Sequence, residues 1–303
     1  MKTLHTFSVA AALLAASISG AVYASTPIDE TRPLAADGKL SVTNTAGSIV
    51  VKGWDRNEVK LSGKLGDDVE KLDISGDAQS LQVVVRYPKN HHGSIDDTEL
   101  TLNVPTRATL DLNGVSADIK VNEVGGPLTA KSVSGDVTLA VSSAQIKASS
   151  VSGDVNVQGP SYSADVHSPS FKTTLNSVSG DLKAKGLRGE LTAETVSGNL
   201  SLQGGSFKTL KLQSVSGDLD LKLGLDKGAQ LSAETLSGDI ELRFDKTPDA
   251  KLTMKTFSGD LRNRYSDDDN DDDRHSLSTT LGSGDGRIDL HSFSGDIEVG
   301  SQN

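Results

Sequence analysis

The chain of 303 residues contains no cysteine. Disulfides cannot hold it together, even in a compartment that permits them, and a lipid-anchored lipoprotein is excluded because no cysteine follows the N-terminal apolar segment. Stability must come from packing and backbone hydrogen bonds. Aromatic residues make up 4%, with a single tryptophan, so the core has to be thin and filled by Val, Leu, Ile, Ala, Ser and Thr. Positive charge is in deficit: 30 Lys and Arg face 41 Asp and Glu, a formal net charge of −11. Such a chain has no electrostatic reason to bind nucleic acid or anionic lipid; cations and cationic surfaces are its more natural partners. No second hydrophobic stretch follows the N-terminal one, and helical spacing of apolar residues is nowhere sustained.

Residues 1–24 read as a secretory signal peptide. Lys2 is the basic start, Val9 to Ile18 the apolar run, and Val22-Tyr23-Ala24 the small-x-small cleavage site before Ser25. The run is too short for a bilayer span, which needs about 20 apolar residues. Cleavage near Ala24 would leave a chain of net charge −12, since Lys2 departs. The expected location is the periplasm or the cell exterior, with no transmembrane segment in the mature chain. Residues 25–39 read as an N-terminal linker, and 40–303 as one repeat domain.

What the chain has in abundance is one tetrapeptide. Val133-Ser134-Gly135-Asp136 returns at Val151-Ser152-Gly153-Asp154, Val178-Ser179-Gly180-Asp181 and Val215-Ser216-Gly217-Asp218. Variants are Val196-Ser197-Gly198-Asn199, Leu236-Ser237-Gly238-Asp239, Phe257-Ser258-Gly259-Asp260 and Phe293-Ser294-Gly295-Asp296. Val115-Ser116-Ala117-Asp118 and Thr45-Ala46-Gly47-Ser48 look like decayed copies. From Ser116 to Ser294 the corner serines are 18, 18, 27, 18, 19, 21, 21 and 36 residues apart. A period near 20 residues marks a stacked repeat architecture.

Apolar and polar residues alternate on both sides of the tetrapeptide, which marks half-buried strands. The phase changes across it: Leu128, Ala130 and Ser132 sit at even positions, Val137, Leu139 and Val141 at odd ones. If both strands face one interior, the chain must bend between them. Glycine can take the positive φ of such a bend, and Ser and Asp can bond the N–H groups it leaves unpaired. Gly135 with Asp136, Gly153 with Asp154, Gly180 with Asp181, Gly198 with Asn199, Gly217 with Asp218, Gly238 with Asp239, Gly259 with Asp260 and Gly295 with Asp296 are thus structural corners. No unit can bury its face alone, so stacking must supply the core. The fold expected is all-β: a single-stranded β-solenoid, right-handed and β-helix-like, of roughly ten irregular 18–21-residue rungs. A left-handed hexapeptide helix is disfavoured, because Gln145 and Ser163 break the six-residue aliphatic spacing. Residues 49–105 are a less regular N-terminal part, 158–170 and 262–287 are insertions, and Trp54 is a candidate plug for the N-terminal end of the core.

These serial strand-Ser-Gly-Asp-strand units, the Leu102-Asn103-Val104-Pro105 segment and the closing run from Gly284 to Ile297 resemble the bacterial putative-adhesin family, grouped with toastrack-like envelope proteins. The resemblance covers about residues 40–300. It implies an exported β-solenoid with an adhesin-like or envelope-associated role and no established catalytic residues.

Candidate chemistry is sparse. Paired carboxylates cleave glycosidic bonds, but a repeated Asp column makes every member equivalent, whereas catalysis needs two carboxyls in unlike environments. The acidic run Asp267, Asp268, Asp269, Asp271, Asp272 and Asp273 lacks the glycine of an EF-hand. It reads as a solvated loop able at most to associate weakly with Ca²⁺ or Mg²⁺. His91-His92 and His275 do not make a metal set. No cofactor and no catalytic residue is expected. The favoured reading is a non-enzymatic adhesin-like or cell-envelope scaffold whose partner is an envelope protein or surface glycan. A carbohydrate-active β-helix enzyme and a periplasmic envelope-stress partner of a membrane protein are the alternatives. The chain stops at Asn303, seven residues after Asp296, with no evident polar cap. This predicts either end-to-end self-association or cover by a neighbouring loop.

Overall fold

The computed structural model describes residues 27–88, 95–160, 171–265 and 275–302. The residues read as a signal peptide, most of the first insertion and the whole acidic run 267–273 lie outside this range. Described residues form strands and no helix. The N-terminal part comprises β1 (Pro27–Pro33), β2 (Lys39–Trp54), β3 (Glu58–Lys64), β4 (Lys71–Gly76), β5 (Ser80–Arg86), β6 (Thr98–Pro105) and β7 (Thr109–Asn122). Then follow β8 (Leu128–Lys131), β9 (Val137–Ala140), β10 (Gln145–Ser150), β11 (Val155–Gln158), β12 (Lys172–Ser177), β13 (Leu182–Lys185), β14 (Arg188–Ser197) and β15 (Leu200–Ser216). The last are β16 (Leu219–Ser237), β17 (Ile240–Phe244), β18 (Ala250–Ser258), β19 (Leu261–Asn263), β20 (Ser276–Leu281), β21 (Gly286–Ser294) and β22 (Ile297–Ser301).

The chain is a β-solenoid. Strands before a corner stack in one parallel ladder and strands after it in a second. Leu110 pairs with Leu128, Leu128 with Ile146 and Ile146 with Thr173 in the first. Val137 pairs with Val155 and Val155 with Leu182 in the second. The alternation that marked strands in the sequence turns one side of each ladder inward. Leu128, Ala130, Val137 and Leu139 are at most 2% exposed, and their counterparts fill the same columns in successive rungs, except in β19, where Leu261 and Asn263 are only partly buried. Burying such columns stabilises by about 25 cal/mol per Å² of apolar surface. No single rung has a second face to bury against, so the core exists only in the stack.

Both ends depart from the serial pattern. At the N-terminal end, β5 and β6 lie parallel against the two halves of β2. They are covered in turn by antiparallel β4 and β3. The stretch read as a linker contains β1, which pairs with β3 over seven residues and buries Ile28. Trp54 is not a core plug. It is half-buried at the end of β2, its Nε1–H donates to the Glu58 carbonyl at 2.9 Å, and the Arg56 guanidinium lies 5.0 Å from its ring centre. Leu34 is fully buried instead.

At the C-terminal end the rungs are out of chain order. β21 lies between β16 and β18, pairing Leu231 with Ile288 on one side and Leu252 with Ile288 on the other. β22 likewise lies between β17 and β19. The outermost rung is therefore β18–β19, and β20 runs antiparallel along β18. The insertion expected at 262–287 is in part this strand. Its Ser276-Leu277-Ser278-Thr279-Thr280-Leu281 alternates and buries Leu281. The open rung expected from the sequence is covered on that side by a strand of its own chain.

Candidate functional site

Three columns meet at the corners. In the innermost, Ser132, Ser150, Ser177, Thr195, Ser214, Thr235, Ser292 and Thr256 are 3–7% exposed. In the first corners the hydroxyl oxygen accepts the glycine N–H of its own rung: Gly135 to Ser132 at 3.0 Å, Gly153 to Ser150 at 2.9 Å, Gly180 to Ser177 at 2.9 Å. From Gly198 onward the glycine N–H turns to a serine carbonyl of the next rung, as from Gly217 to Ser237 at 3.0 Å and from Gly238 to Ser294 at 3.0 Å. The corner thus has two forms. Gly217, Gly238, Gly259 and Gly295 have φ of 147–151°, while Gly135, Gly153, Gly180 and Gly198 are not in the positive-φ region. The positive φ expected at every corner holds from Gly217 onward: Gly135, Gly153 and Gly180 are closed by a side-chain hydroxyl, and Gly198 stands between the forms, bonding the Ser216 carbonyl at 3.2 Å without the positive φ.

The Asp column is bonded from end to end. The Asp136 N–H donates to Asp118 Oδ1 at 2.9 Å, Asp154 to Asp136, Asp181 to Asp154, and Asn199 to Asp181, each at 2.9 Å. Asp218 donates to Asn199 Oδ1 at 3.0 Å, then Asp239 to Asp218 at 2.9 Å, Asp296 to Asp239 at 2.8 Å and Asp260 to Asp296 at 2.8 Å. Each link is a charge-assisted bond except at Asn199, whose amide oxygen accepts in the same way. Neighbouring carboxylates about 4.8 Å apart repel by about 0.9 kcal/mol in water, and each link offsets this. Lys183 adds a cation, 3.4 Å from Asp181 and 3.8 Å from Asp154. At the far end Asp260 is more exposed and meets Arg262 at 3.6 Å. Among the described residues no group of three or more His, Cys, Asp or Glu could hold a metal ion.

The third column faces solvent. Ser132 points inward, so the next residue must point out. Val115, Val133, Val151, Val178, Val196, Val215, Leu236, Phe293 and Phe257 follow one another along the stack and are 43–71% exposed. Eight steps at the spacing of neighbouring strands make a ladder about 38 Å long. Single exposed apolar residues need no explanation, but nine in one line do. The ladder widens toward the C-terminal end, where the Phe257 and Phe293 rings stack with centres 4.8 Å apart and planes within 6°. Beside it runs a polar column two residues earlier in each strand. Asn176, Glu194, Gln213 and Glu234 form one side, and Val196, Val215 and Leu236 the other, of a shallow open groove of about 810 Å³. Gln213 Nε2 donates to Glu234 Oε2 at 3.3 Å. The tetrapeptide was visible in the sequence as a corner; the parity from Ala130 through Ser132 to Val133 was the signal that its first residue faces water.

With this geometry in view, comparison with known proteins gives the class. A family model described as Toastrack DUF4097 matches residues 39–300, and the chain belongs to that family. Similar solved structures include a putative adhesin from Bacteroides fragilis, 13% identical over 91% of this chain and 97% of that one, TM-score 0.37. A putative adhesin from Parabacteroides distasonis is 11% identical over 92% and 98%, TM-score 0.36. A putative lipid binding protein from the same species is 11% identical over 91% and 97%, TM-score 0.34. Comparison with curated proteins found no match. No helix among the described residues is long and apolar enough to cross a membrane.

Proposed function

We propose that this protein is an exported, non-enzymatic binding protein of the cell envelope, adhesin-like or scaffold in role, whose contact surface is the face carrying the Val, Leu and Phe ladder. The observation that carries this is the single line of nine apolar side chains, each 43–71% exposed. Rows of that length on a soluble surface mark interaction sites. Export rests on the character of residues 1–24. The ladder is aliphatic over seven of its nine positions, which suits the apolar core of a protein interface flanked by a polar rim. An envelope protein therefore fits this face better than a glycan.

The test is binding of the purified protein to isolated envelope of the producing cell, compared with a variant carrying Val196→Ser, Val215→Ser and Leu236→Ser. All three side chains already face water, so the melting temperature should hold, as surface changes usually stay within about 0.5 kcal/mol. Binding should fall at least about tenfold, equivalent to about 1.4 kcal/mol. Undiminished binding by the triple variant would remove the ladder as the contact surface.

A further inference from the structure

Among the described residues, four strands have only one partner: β1, β4, β19 and β20. An unpaired edge invites another strand, and proteins guard such edges with charge, proline or brevity. β1 begins and ends in proline and carries Asp29, Glu30 and Arg32. β4 carries Lys71 and Asp73, with Asp73 held by Arg86 at 2.9 Å. β19 is three residues long and includes Arg262. β20 has none of these guards. Its six residues, Ser276-Leu277-Ser278-Thr279-Thr280-Leu281, contain no charge, no proline and no glycine.

A second observation lies at the same end of the solenoid. Leu261, Tyr265 and Leu277 pack against the core but remain partly exposed. The outermost rung is covered along β18 but not fully closed over its apolar interior.

We propose that β20 is a pairing edge for a second copy of this chain, joining two solenoids end to end through an antiparallel β20–β20 contact. The Thr256 N–H bonds the His275 carbonyl at 3.0 Å. By the alternation of antiparallel ladders, the N–H and C=O groups of Ser276, Ser278 and Thr280 then point away from β18. A strand paired antiparallel with its own copy satisfies two-fold symmetry without further adjustment. The antiparallel sense also sets the two Ser276 ends about 20 Å apart, at the rise of a strand. Docking covers Leu277 and its neighbours, and the guarded edges at the other end stop growth at two copies. The resulting dimer carries two ladders, which raises the avidity of the proposed binding face but does not depend on it.

Sedimentation of the purified full chain from low to high micromolar concentration tests the contact. A reversible monomer–dimer equilibrium is expected. The variant Ser278→Lys with Thr280→Lys alters two exposed side chains on the free edge. It should raise the dimer dissociation constant at least tenfold and leave the melting temperature unchanged at concentrations where both proteins are monomeric. In hydrogen exchange, the Ser276, Ser278 and Thr280 amides should be protected in the dimer and exposed in the variant. A strict monomer at every concentration overturns the proposal. So does a dimer that the two lysines leave intact, which would move the interface to the ladder.

Discussion

A Cβ built on Gly180 would overlap the carbonyl oxygen of Gly153, and one built on Gly217 would overlap that of Gly198. The glycine column is nested, each residue occupying the space where its neighbour's side chain would be. Gly217 has a second reason, its φ of 147°, while Gly180 has only the close approach. Both Gly180→Ala and Gly217→Ala are expected to destabilise the solenoid. The first should cost about 1–3 kcal/mol for overpacking. The second should cost more, because strained φ adds about 1–3 kcal/mol. Thermal unfolding of the two variants checks this. A neutral Gly180→Ala would mean that the first-form corners can spread, and that only φ requires the glycine.

At the level of strands, the C-terminal rungs are clasped by a charge network. Glu298 of β22 accepts from Arg264 Nε at 2.7 Å and pairs with Arg243 Nη2 of β17 at 2.6 Å, while Arg243 also meets Glu241 at 2.8 Å. The hydrogen bond from Arg264, and then those and the charge of Arg243, hold the Glu298 carboxyl down at about 2 against the partial burial that would raise it. A depressed carboxyl contributes stability that is present above its unfolded value, 4.5, and is lost as pH falls through about 2. At neutral pH, Glu298→Gln should therefore lower stability by about 1.5–3 kcal/mol, the range of a hydrogen bond to a charged group. The gap between variant and parent should close between pH 4.5 and 2. Denaturation followed at several pH values measures it, and a gap that persists at the acid end would mean the network does not act through the carboxylate charge. Strands and corners of this kind were legible in the sequence because each has a local signature: parity for Leu128 and Ala130, the tetrapeptide for Gly135. The antiparallel partners β1 and β20 were not, since β1 offers only Ile28 as an apolar residue and β20 is a short run of Ser, Thr and Leu beside a charged stretch, so both read as connecting segments. The clasp was hidden too, as Glu298 and Arg264 lie 34 positions apart with no motif joining them.

Over the whole molecule, what the sequence did not encode visibly was the order of the rungs. Leu231, Leu252 and Ile288 present the same side chain type to the same column, so any of them can stack on any other, and chain order is the natural default. The structure departs from it by letting β18 and β19 pass outward and slotting β21 and β22 into the space behind. This places β21 and β22, which follow β18–β20 in the chain, inside them, where they hold β18–β20 to the rest of the stack. In a serial solenoid, whose rungs touch only their neighbours, deleting the final rung peels away that rung and nothing more. Here, ending the chain at Asp285 should release two rungs. β18, β19 and β20 lose their only partners inside the stack; β16 and β17 lose β21 and β22 on their outer side but keep β15 and each other. Limited proteolysis with mass measurement should trim such a truncation back to the segment after Phe244, leaving a folded remainder. Amides of Leu252 and Met254 should exchange freely in the truncation and slowly in the full chain. If β18 stays protected in the truncated protein, it must have moved inward to pair with β16. The rung order would then be a choice between equivalent stackings and not a requirement of these sequences.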